Sequence, residues 1–437
     1  MTLAPARQAA NYWPGLDVIP SGPRSAVSSR VARRLFHAAV NRLDVTVHVD
    51  GETIGRGGPE ATIHRSEEFY ARIGRHQLIG FGEAYLTGAW DAEDLGAFLT
   101  VLAAEVQDLV PQNLQKLRAM VVARPPRMHR NSTKNTRGNI AHHYDLSNDL
   151  FELFLDESLS YSAALFESDV TTAHDHVGDH LVAGAPYAAT HELFAEAQGR
   201  KIERLLDEAG VREGSRVLEI GSGWGELAIR AARRGAHVHT ITLSTEQKAL
   251  ADARIADAGF SDRVEVELCD YRDVTGSYDA VVSVEMIEAV GWQYWPTYFE
   301  TIDRVLAPGG RVGIQAITMP HDRMRATKNT FTWINKYIFP GGFLPSVQVI
   351  DEITRERTGL RLTGRLSMGA HYAATLRLWD ETFQAGHDRV LELGFDETFL
   401  RMWHFYLEYS RGGFASGYID VNQLTFTRPT DPQETAR

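Results

Sequence analysis

The chain contains few of the residues that define several common classes of protein. Its single cysteine, Cys269, excludes a disulfide framework and a zinc site built from several cysteines. No apolar run reaches the roughly 18 residues of a membrane-spanning helix, and the first 20 residues lack the apolar segment of a signal peptide. These absences predict a cytoplasmic chain, and a length of 437 residues predicts two or three domains.

Charge is distributed unevenly along the chain. Residues 1–140 contain 17 Lys and Arg against 13 Asp and Glu, a net charge of +4, so a total of −12 leaves −16 for the rest. Seven basic residues and no acidic one lie between Lys116 and Arg137. This run is either a solvated linker or a surface attracted to anionic lipid headgroups. The acidic remainder argues against nucleic acid as a partner.

One short segment organises the second half of the chain. The apolar run 217–220 contains one acid, Glu219, and three glycines follow at alternate positions, Gly221, Gly223 and Gly225. This pattern predicts a buried strand, a tight turn and a helix N-terminus, where glycines let a ligand approach the backbone. A carboxylate there suits a cationic or hydroxyl-rich ligand. The E-x-G-x-G-x-G spacing differs from the dinucleotide fingerprint and favours an S-adenosylmethionine methyltransferase over a chance glycine turn.

Strands and helices alternate after this turn. The predicted elements are strand His237–Leu243, helix Glu246–Ala258, strand Val264–Leu268, strand Ala280–Val284, helix Trp295–Val305 and strand Arg311–Thr318. Such alternation predicts an α/β domain with a mostly parallel sheet. Ligands bind beyond the carboxyl ends of parallel strands. This rule places five segments around one mouth: Gly221–Gly225, Thr242–Gln247, Asp270–Tyr271, Glu285–Glu288 and Gln315–Thr318.

The N-terminal part has a different pattern. Residues 1–28 are aperiodic and predict a loosely ordered tail. Arg30–Leu43 predicts a helix with an apolar stripe (Val31, Leu35, Phe36, Ala39, Val40 and Leu43) and arginines on its other face; the stripe either packs in the core or contacts a membrane surface. Alternating valines before Asp50–Gly51 predict a hairpin. The segment Leu95–Met120 predicts a long helix that is interrupted near Pro111.

Two further segments, one rich in histidine and one weakly periodic, lie before the glycine turn. The paired histidines His142 and His143 have no third ligand at metal spacing, so no metal site is predicted. Residues 168–195 are weakly periodic, and we expect them to form a lid or an extra helix over the site.

Six motifs occur together in this chain: His143–Asp149, Tyr161–Ser162, Leu218–Gly225, Thr242–Gln247, Asp270–Asp273 and Trp333–Pro340. Together they resemble the cyclopropane-fatty-acyl-phospholipid synthases and the related mycolic-acid methyltransferases, from about Gly80 to Arg428. The resemblance implies a Rossmann-like class I methyltransferase fold with a smaller, mainly helical N-terminal domain. The implied division is a tail (1–28), an N-terminal lipid-binding domain (29–123), a basic linker (124–140), the methyltransferase domain (141–428) and a second tail (429–437).

The resemblance implies S-adenosyl-L-methionine as the cofactor. It assigns six residues to cofactor binding: Tyr161, Ser162, Gly221, Gly223, Thr242 and Gln247. The residues themselves add Glu219, Asp270 and Tyr271. We expect the last two to hold the adenine by hydrogen bonding and stacking, with ordinary packing as the alternative for Tyr271.

The implied reaction adds a methyl group to the double bond of an unsaturated phospholipid acyl chain. It leaves a carbocation that must lose a proton, so the enzyme needs a base near neutral pH. The resemblance implies a bound bicarbonate held by Cys, Glu, His, an Ile backbone and Tyr. Glu288, Ile317 and Tyr372 match this set, whereas Ala163 replaces the Cys and Gln315 replaces the His. Gln315 can donate a hydrogen bond but cannot titrate.

These departures all fall at the proton-removing end of the site. They predict a different fate for the carbocation and leave two products open: a cyclopropane, or an exocyclic methylene that precedes a 10-methyl branch. The candidate catalytic residues are Glu288, Tyr372, Gln315, Ile317 and Tyr144. A methyltransferase for a polar small molecule and a non-catalytic lipid-carrying module are the alternatives from other classes.

The expected partner is an unsaturated phospholipid in an anionic membrane surface. Peripheral association with the inner face of the membrane follows from that expectation. A homodimer, and a reductase acting on a methylene product, are further expectations.

Overall fold

The computed structural model describes residues 13, 15–105 and 148–429. Its strands are β1 Thr46–Val49, β2 Glu52–Gly55, β3 Glu60–Ile63, β4 Trp90–Ala92, β5 Val170–Asp175, β6 Gly178–Ala183, β7 Arg216–Ile220, β8 His237–Thr242, β9 Val264–Leu268, β10 Tyr278–Val284, β11 Leu306–Thr318, β12 Arg361–Ser367 and β13 Asp420–Thr427. Its α-helices are α1 Pro23–Val40, α2 Ser66–His76, α3 Leu78–Leu86, α4 Leu95–Glu105, α5 Asn148–Phe154, α6 His191–Glu208, α7 Glu226–Arg233, α8 Thr245–Asp257, α9 Ile287–Val290, α10 Trp295–Val305, α11 His321–Thr327, α12 Trp333–Tyr337, α13 Val347–Arg357, α14 Gly369–Ala385, α15 His387–Glu392 and α16 Glu397–Ala415. Among these described helices, none is both long and apolar enough to cross a bilayer.

The chain forms two compact units. One contains the described residues within 1–123, 331–338 and 379–418, and the other contains the described residues within 124–330, 339–378 and 419–437. The sequence pattern assigns 331–338 and 379–418 to the methyltransferase domain, whereas the structure groups them with the N-terminal unit. The basic run and most of the predicted helix 95–120 lie outside the described residues, as α4 is described only to Glu105.

Aromatic packing explains why α12 belongs to the N-terminal unit. The Trp333 ring lies 4.8 Å from that of Phe405 in α16, and a Cβ on Gly82 would come within 2.5 Å of Trp333. Only glycine therefore allows α3 this close approach. Lys336 and His76 both form salt bridges with the buried carboxylate of Glu83. Despite burial, these two partners hold the pKa of Glu83 at about 2.

A four-stranded sheet completes this unit, in the order β2-β1-β3-β4. The predicted hairpin at Asp50–Gly51 is confirmed. β1 and β2 are antiparallel, and both turn residues have positive φ, 51° and 79°. Two consecutive left-handed residues are the geometry that a two-residue hairpin turn requires.

Helix α1 differs from its prediction. It begins at Pro23, so the expected tail is wrong for residues 23–28. The helix packs on α2 through the Phe36 ring, which lies edge-on to Phe69 at 5.0 Å, and Ala32 and Val40 on the same side of α1 are buried. Val31 and Leu35, which the predicted stripe includes, are exposed. The helix therefore has two apolar faces, and only one of them packs in this unit.

The larger unit is built on a nine-stranded sheet in the order β5-β6-β12-β13-β11-β10-β7-β8-β9. The five strands from β11 to β9 are parallel, and β13 runs antiparallel between β11 and β12. Buried aliphatic and aromatic residues cover both faces of the parallel part. This architecture confirms the predicted α/β fold.

Most predicted elements of the sheet occur within a few residues of their expected bounds. Of the two alternatives for residues 168–195, an extra helix is wrong over residues 170–183, which form an antiparallel hairpin, β5 and β6, at the edge of the sheet. Its side chains alternate between more and less exposed positions along β6, a period of two that is typical of a strand. Gly178 has φ +127° at the turn, a conformation that L side chains rarely adopt.

Candidate active site

The glycine turn has the geometry expected of a ligand-binding loop. Gly221, Gly223 and Gly225 have φ values of 97°, 50° and 91°, between the end of β7 and the first residue of α7. A Cβ on Gly221 would lie 2.6 Å from the sulfur of Met286, whereas a Cβ on Gly223 would meet nothing within 4 Å. Gly221 is therefore needed for packing, and Gly223 borders open space that a ligand can enter.

Glu219 lies in β7, immediately before this turn. Its side chain is buried, and its Oε2 has no hydrogen-bond partner among the described residues. Burial raises the pKa of Glu219 to about 8. A buried carboxyl oxygen without a hydrogen-bond partner is costly unless a ligand satisfies it, so this position suits a cationic ligand.

Two other pairs of predicted cofactor residues are brought together. The Thr242 hydroxyl at the end of β8 donates a hydrogen bond to Gln247 Oε1 at 2.9 Å. Buried Lys201 donates to the Ser162 hydroxyl at 2.6 Å, and the neighbouring Tyr161 ring lies 5.1 Å from that of Phe151. Ser162 and Tyr161 are thus fixed by packing and by a buried cation before any ligand binds.

Asp270 and Tyr271 follow β9. The carboxylate of Asp270 forms a salt bridge with Arg272, and the Tyr271 ring packs edge-on against Tyr298 at 5.4 Å. Tyr271 thus makes the core contact that the packing alternative describes. Adenine binding by either residue stays a prediction.

Glu285 is the residue that sequence reasoning missed. It follows β10 directly and has φ 52°, a conformation that is uncommon for a residue with a side chain. Its carboxylate accepts hydrogen bonds from the Tyr372 hydroxyl at 2.6 Å, from Gln315 Nε2 at 2.8 Å and from the Ala163 backbone N–H at 2.9 Å. Strained backbone at a residue with three converging donors points to a functional role.

The groups that hold Glu285 are buried and come from distant parts of the chain. Tyr372 lies in α14, Gln315 in β11 and Ala163 in the segment after α5. Loss of hydration raises the pKa of Glu285, and the three donors together with the charge on Lys201 oppose that shift. Burial in turn lowers the pKa of Lys201 to about 8, against the opposing charges of Glu285 and other nearby carboxylates.

Glu288 lies one helical turn further, at the start of α9. Its Oε1 accepts a hydrogen bond from the Ile317 N–H, and its buried Oε2 has no hydrogen-bond partner among the described residues. Burial, and then the negative charge of Glu285, raise the pKa of Glu288 to about 8. The two carboxyls are therefore unequal. Glu285 has three donors that stabilise a charge, whereas Glu288 has one, and its Oε2 has none among the described residues.

The residues present do not fit a bound bicarbonate. Of the groups that the resemblance assigns to that anion, the Tyr372 hydroxyl and the Gln315 amide donate to Glu285 instead, as does the backbone at Ala163. A second anion would lie beside the Glu285 carboxylate with these donors already used. The described residues therefore leave bicarbonate without a free set of donors, because the chain supplies a carboxylate of its own.

The sequence pattern places residues 285–288 at the carboxyl ends of the parallel strands. It assigns a catalytic role only to Glu288. The available signal was an acid directly after a buried strand, three residues before a second acid. Tyr144 lies outside the described residues. Within 13, 15–105 and 148–429, no cluster of His, Cys, Asp and Glu is arranged to hold a metal ion.

Fold and site together define a class of protein. β7 lies between β8 and β10 in the parallel sheet, and its glycine turn and buried acid lie at that point, where the strand order reverses. Polar side chains at the carboxyl ends of β8, β10 and β11 border the same edge. This is the arrangement of an S-adenosylmethionine-dependent methyltransferase.

The chain belongs to the mycolic acid cyclopropane synthetase family, whose model matches residues 131–424. It is 52% identical over 427 residues to the tuberculostearic acid methyltransferase UfaA1 of Mycobacterium tuberculosis. This match covers 97% of this chain and 97% of that one. It is 30% identical over 380 residues to the cyclopropane-fatty-acyl-phospholipid synthase of Escherichia coli, covering 86% of this chain and 90% of that one.

Solved structures agree with this assignment. The cyclopropane synthase MmaA2 from Mycobacterium tuberculosis has a TM-score of 0.57 at 30% identity and covers 66% of this chain and 97% of its own. The mycolic acid cyclopropane synthase CmaA1, complexed with SAH and CTAB, has a TM-score of 0.57 at 28% identity. That match covers 69% of this chain and 98% of CmaA1. These findings confirm the resemblance. The chain is an S-adenosylmethionine-dependent lipid methyltransferase.

We expect Gly223→Val to abolish binding of S-adenosylmethionine in isothermal titration calorimetry while circular dichroism stays unchanged. The added side chain would fill the open space beside the turn. Gly259→Val is the matched control, since Gly259 also has positive φ and open space but lies beyond the end of α8. Unchanged affinity in Gly223→Val, or equal loss in both variants, would remove the glycine turn from the cofactor site.

We also expect binding of S-adenosylmethionine to release a proton below pH 8. A cation beside Glu219 favours the ionised carboxylate, so affinity should rise with pH, by up to about tenfold per unit, and level off above the pKa of about 8. Calorimetry in buffers of different ionisation enthalpy measures the released proton. Glu219→Gln should remove this release; an unchanged release in the variant would assign it to another group.

Proposed function

We propose that the enzyme methylates the double bond of an unsaturated phospholipid acyl chain and releases an exocyclic methylene product. The observation that carries this proposal is the Glu285 carboxylate, which three buried donors hold at the carboxyl end of β10. A reaction that creates a carbocation and then removes a proton needs a fixed negative charge and a base, and one carboxylate supplies both.

The cofactor supplies an activated methyl group, whose addition to the alkene leaves a positive charge on the acyl chain. The ionised Glu285 stabilises that charge, and its partly buried position strengthens the attraction relative to water. Tyr372 and Gln315 act as positioning residues, since each fixes one oxygen of the carboxylate. Glu288 accepts one hydrogen bond, from the Ile317 N–H, and is therefore less suited than Glu285 to hold a negative charge.

Glu285 then takes the proton. In the proposed order, a hydride first moves from the methylated carbon to the adjacent cationic carbon. The Glu285 carboxylate next accepts a proton from the added methyl group, and the electrons of that C–H bond form the exocyclic double bond. Its raised pKa makes Glu285 a stronger base than an exposed glutamate.

Two observations support the methylene product over a cyclopropane. Ala163 and Gln315 are the two positions that differ from the cyclopropane synthase pattern, and both donate a hydrogen bond to Glu285. The relative at 52% identity is named a tuberculostearic acid methyltransferase, not a cyclopropane synthase. A methylene lipid needs two electrons and two protons to become a methyl branch, so we place a separate reductase after this enzyme. The cyclopropane is the second candidate, favoured by the likeness to the Escherichia coli synthase.

The product can be identified with methyl-¹³C-labelled S-adenosylmethionine and vesicles of a mono-unsaturated phospholipid. We expect the label in the extracted acyl chains, as the =CH₂ carbon in the NMR spectrum. Label in a cyclopropane methylene would favour the second candidate. Absence of label from the acyl chains would contradict both and favour a polar small-molecule substrate or a non-catalytic role.

A further inference from the structure

Exposed apolar side chains are concentrated on and just before α1. Among the described residues of the N-terminal unit, five of the large exposed hydrophobic side chains lie within positions 18–35: Val18 at 62%, Ile19 at 48%, Val27 at 62%, Val31 at 52% and Leu35 at 51%. A concentration of exposed apolar side chains on a folded unit is typical of a surface that binds another protein, a membrane or a ligand.

Three of these residues form one stripe, which we call the α1 stripe: Val27, Val31 and Leu35. They are spaced four residues apart, so on a helix they span roughly 80° of one face. Ala32 and Val40, which are buried, lie on the opposite face with Phe36, whose ring packs on α2. Packing of the helix therefore does not use the stripe.

The stripe is interleaved with positive charge. Arg24, Arg30 and Arg34 are exposed at helical positions within or beside the stripe, and α1 contains no acidic residue. Within the part of the chain that the structure describes, none of these three forms an ion pair, whereas Arg33 pairs with Asp50 at 2.9 Å. Apolar side chains between unpaired arginines are typical of a helix that lies in a membrane interface.

We propose that α1 docks the enzyme on an anionic lipid bilayer. The α1 stripe enters the boundary between headgroups and acyl chains, and Arg24, Arg30 and Arg34 bind lipid phosphates. The inference rests on the proposed function, because the substrate acyl chain lies in such a bilayer. The charge of the helix favours this partner over a second copy of the chain, since two identical arginine-rich faces repel each other.

Vesicle sedimentation tests the surface directly. We expect the wild type to bind vesicles of phosphatidylcholine with phosphatidylglycerol far better than phosphatidylcholine alone, and to lose this preference at high salt. The charge variant Arg24→Gln/Arg30→Gln/Arg34→Gln should bind about 100-fold more weakly. The stripe variant Val27→Gln/Val31→Gln/Leu35→Gln should bind at least about tenfold more weakly. Gln suits a helix better than Val does, so the fold should be kept.

The matched control is Val170→Gln/Leu181→Gln/Leu193→Gln, three exposed apolar residues of the larger unit, which should bind like the wild type. Equal binding of the wild type to neutral and anionic vesicles, or unchanged binding by both α1 variants, would overturn the proposal. So would a change in oligomeric state of the stripe variant with unchanged vesicle binding, which would assign the stripe to a second copy.

Methyl transfer to substrate dispersed in detergent separates this inference from the proposed function. There the α1 variants should retain wild-type activity, because no bilayer has to be reached. Failure of the wild type to methylate lipid in any form, with intact vesicle binding, would contradict the proposed function and leave docking standing.

Discussion

Glu285→Gln is expected to lower kcat for methyl transfer by about three orders of magnitude while cofactor affinity stays unchanged. A unit charge about 4 Å from a cation contributes roughly 4 kcal/mol at an effective dielectric constant near 20, and about 1.4 kcal/mol corresponds to a factor of ten in rate. The amide has the shape of the carboxylate but carries no charge and cannot take a proton. Single-turnover kinetics with saturating cofactor measures this loss.

Glu288→Gln is the matched comparison. Because the pKa of Glu288 is about 8, an amide resembles its neutral form, and the amide oxygen can still accept from the Ile317 N–H. We expect a loss of about tenfold or less, the scale of one altered neutral hydrogen bond. Near-normal turnover in Glu285→Gln together with an inactive Glu288→Gln would return the role of base to Glu288.

The second large effect is expected in Glu285→Gly, whose activity should be restored by a small carboxylate. Glycine suits φ 52°, and its substitution leaves a space bordered by the donors from Tyr372, Gln315 and Ala163. Without added anion the variant should be as inactive as Glu285→Gln. Formate or bicarbonate should raise turnover at least about tenfold, the lower range of acid–base catalysis. Rescue stays partial, because a free anion loses entropy that a tethered one does not.

Glu285→Gln is also the control for rescue. Its amide fills the same space, so added formate should have no effect on it. If Glu285→Gly binds cofactor normally but responds to neither anion, the three donors do not form a carboxylate site that serves the reaction.

The α/β half of the fold was predictable because its signals are local. Buried parallel strands give continuous apolar runs, and helices between them give a period of 3.6, so strand Val264–Leu268 and helix Trp295–Val305 occur as predicted. The sequence pattern does not reveal the hairpin β5–β6, because most side chains of its strands are exposed or half-buried, which leaves little apolar contrast. For α1, the pattern showed a stripe but did not tell which face packs on α2.

The candidate site was predictable at the cofactor end and only in part at the proton-removing end. The three glycines with positive φ lie at alternate positions of one short segment, so the turn could be recognised from that segment alone. The choice between Glu285 and Glu288 depends on donors from positions 163, 315 and 372, which only the folded chain brings to one carboxylate. The two acids lie three residues apart, and that spacing alone does not indicate which of them accepts the hydrogen bonds from these donors.

Turnover of the wild-type enzyme in buffer from which bicarbonate and carbon dioxide have been removed tests directly whether Glu285 is the base. Glu285 already supplies the carboxylate that the family resemblance would assign to a bound anion. We therefore expect the same turnover with and without bicarbonate. Loss of activity on depletion, restored when bicarbonate is added back, would contradict the account and show that a free anion is the base.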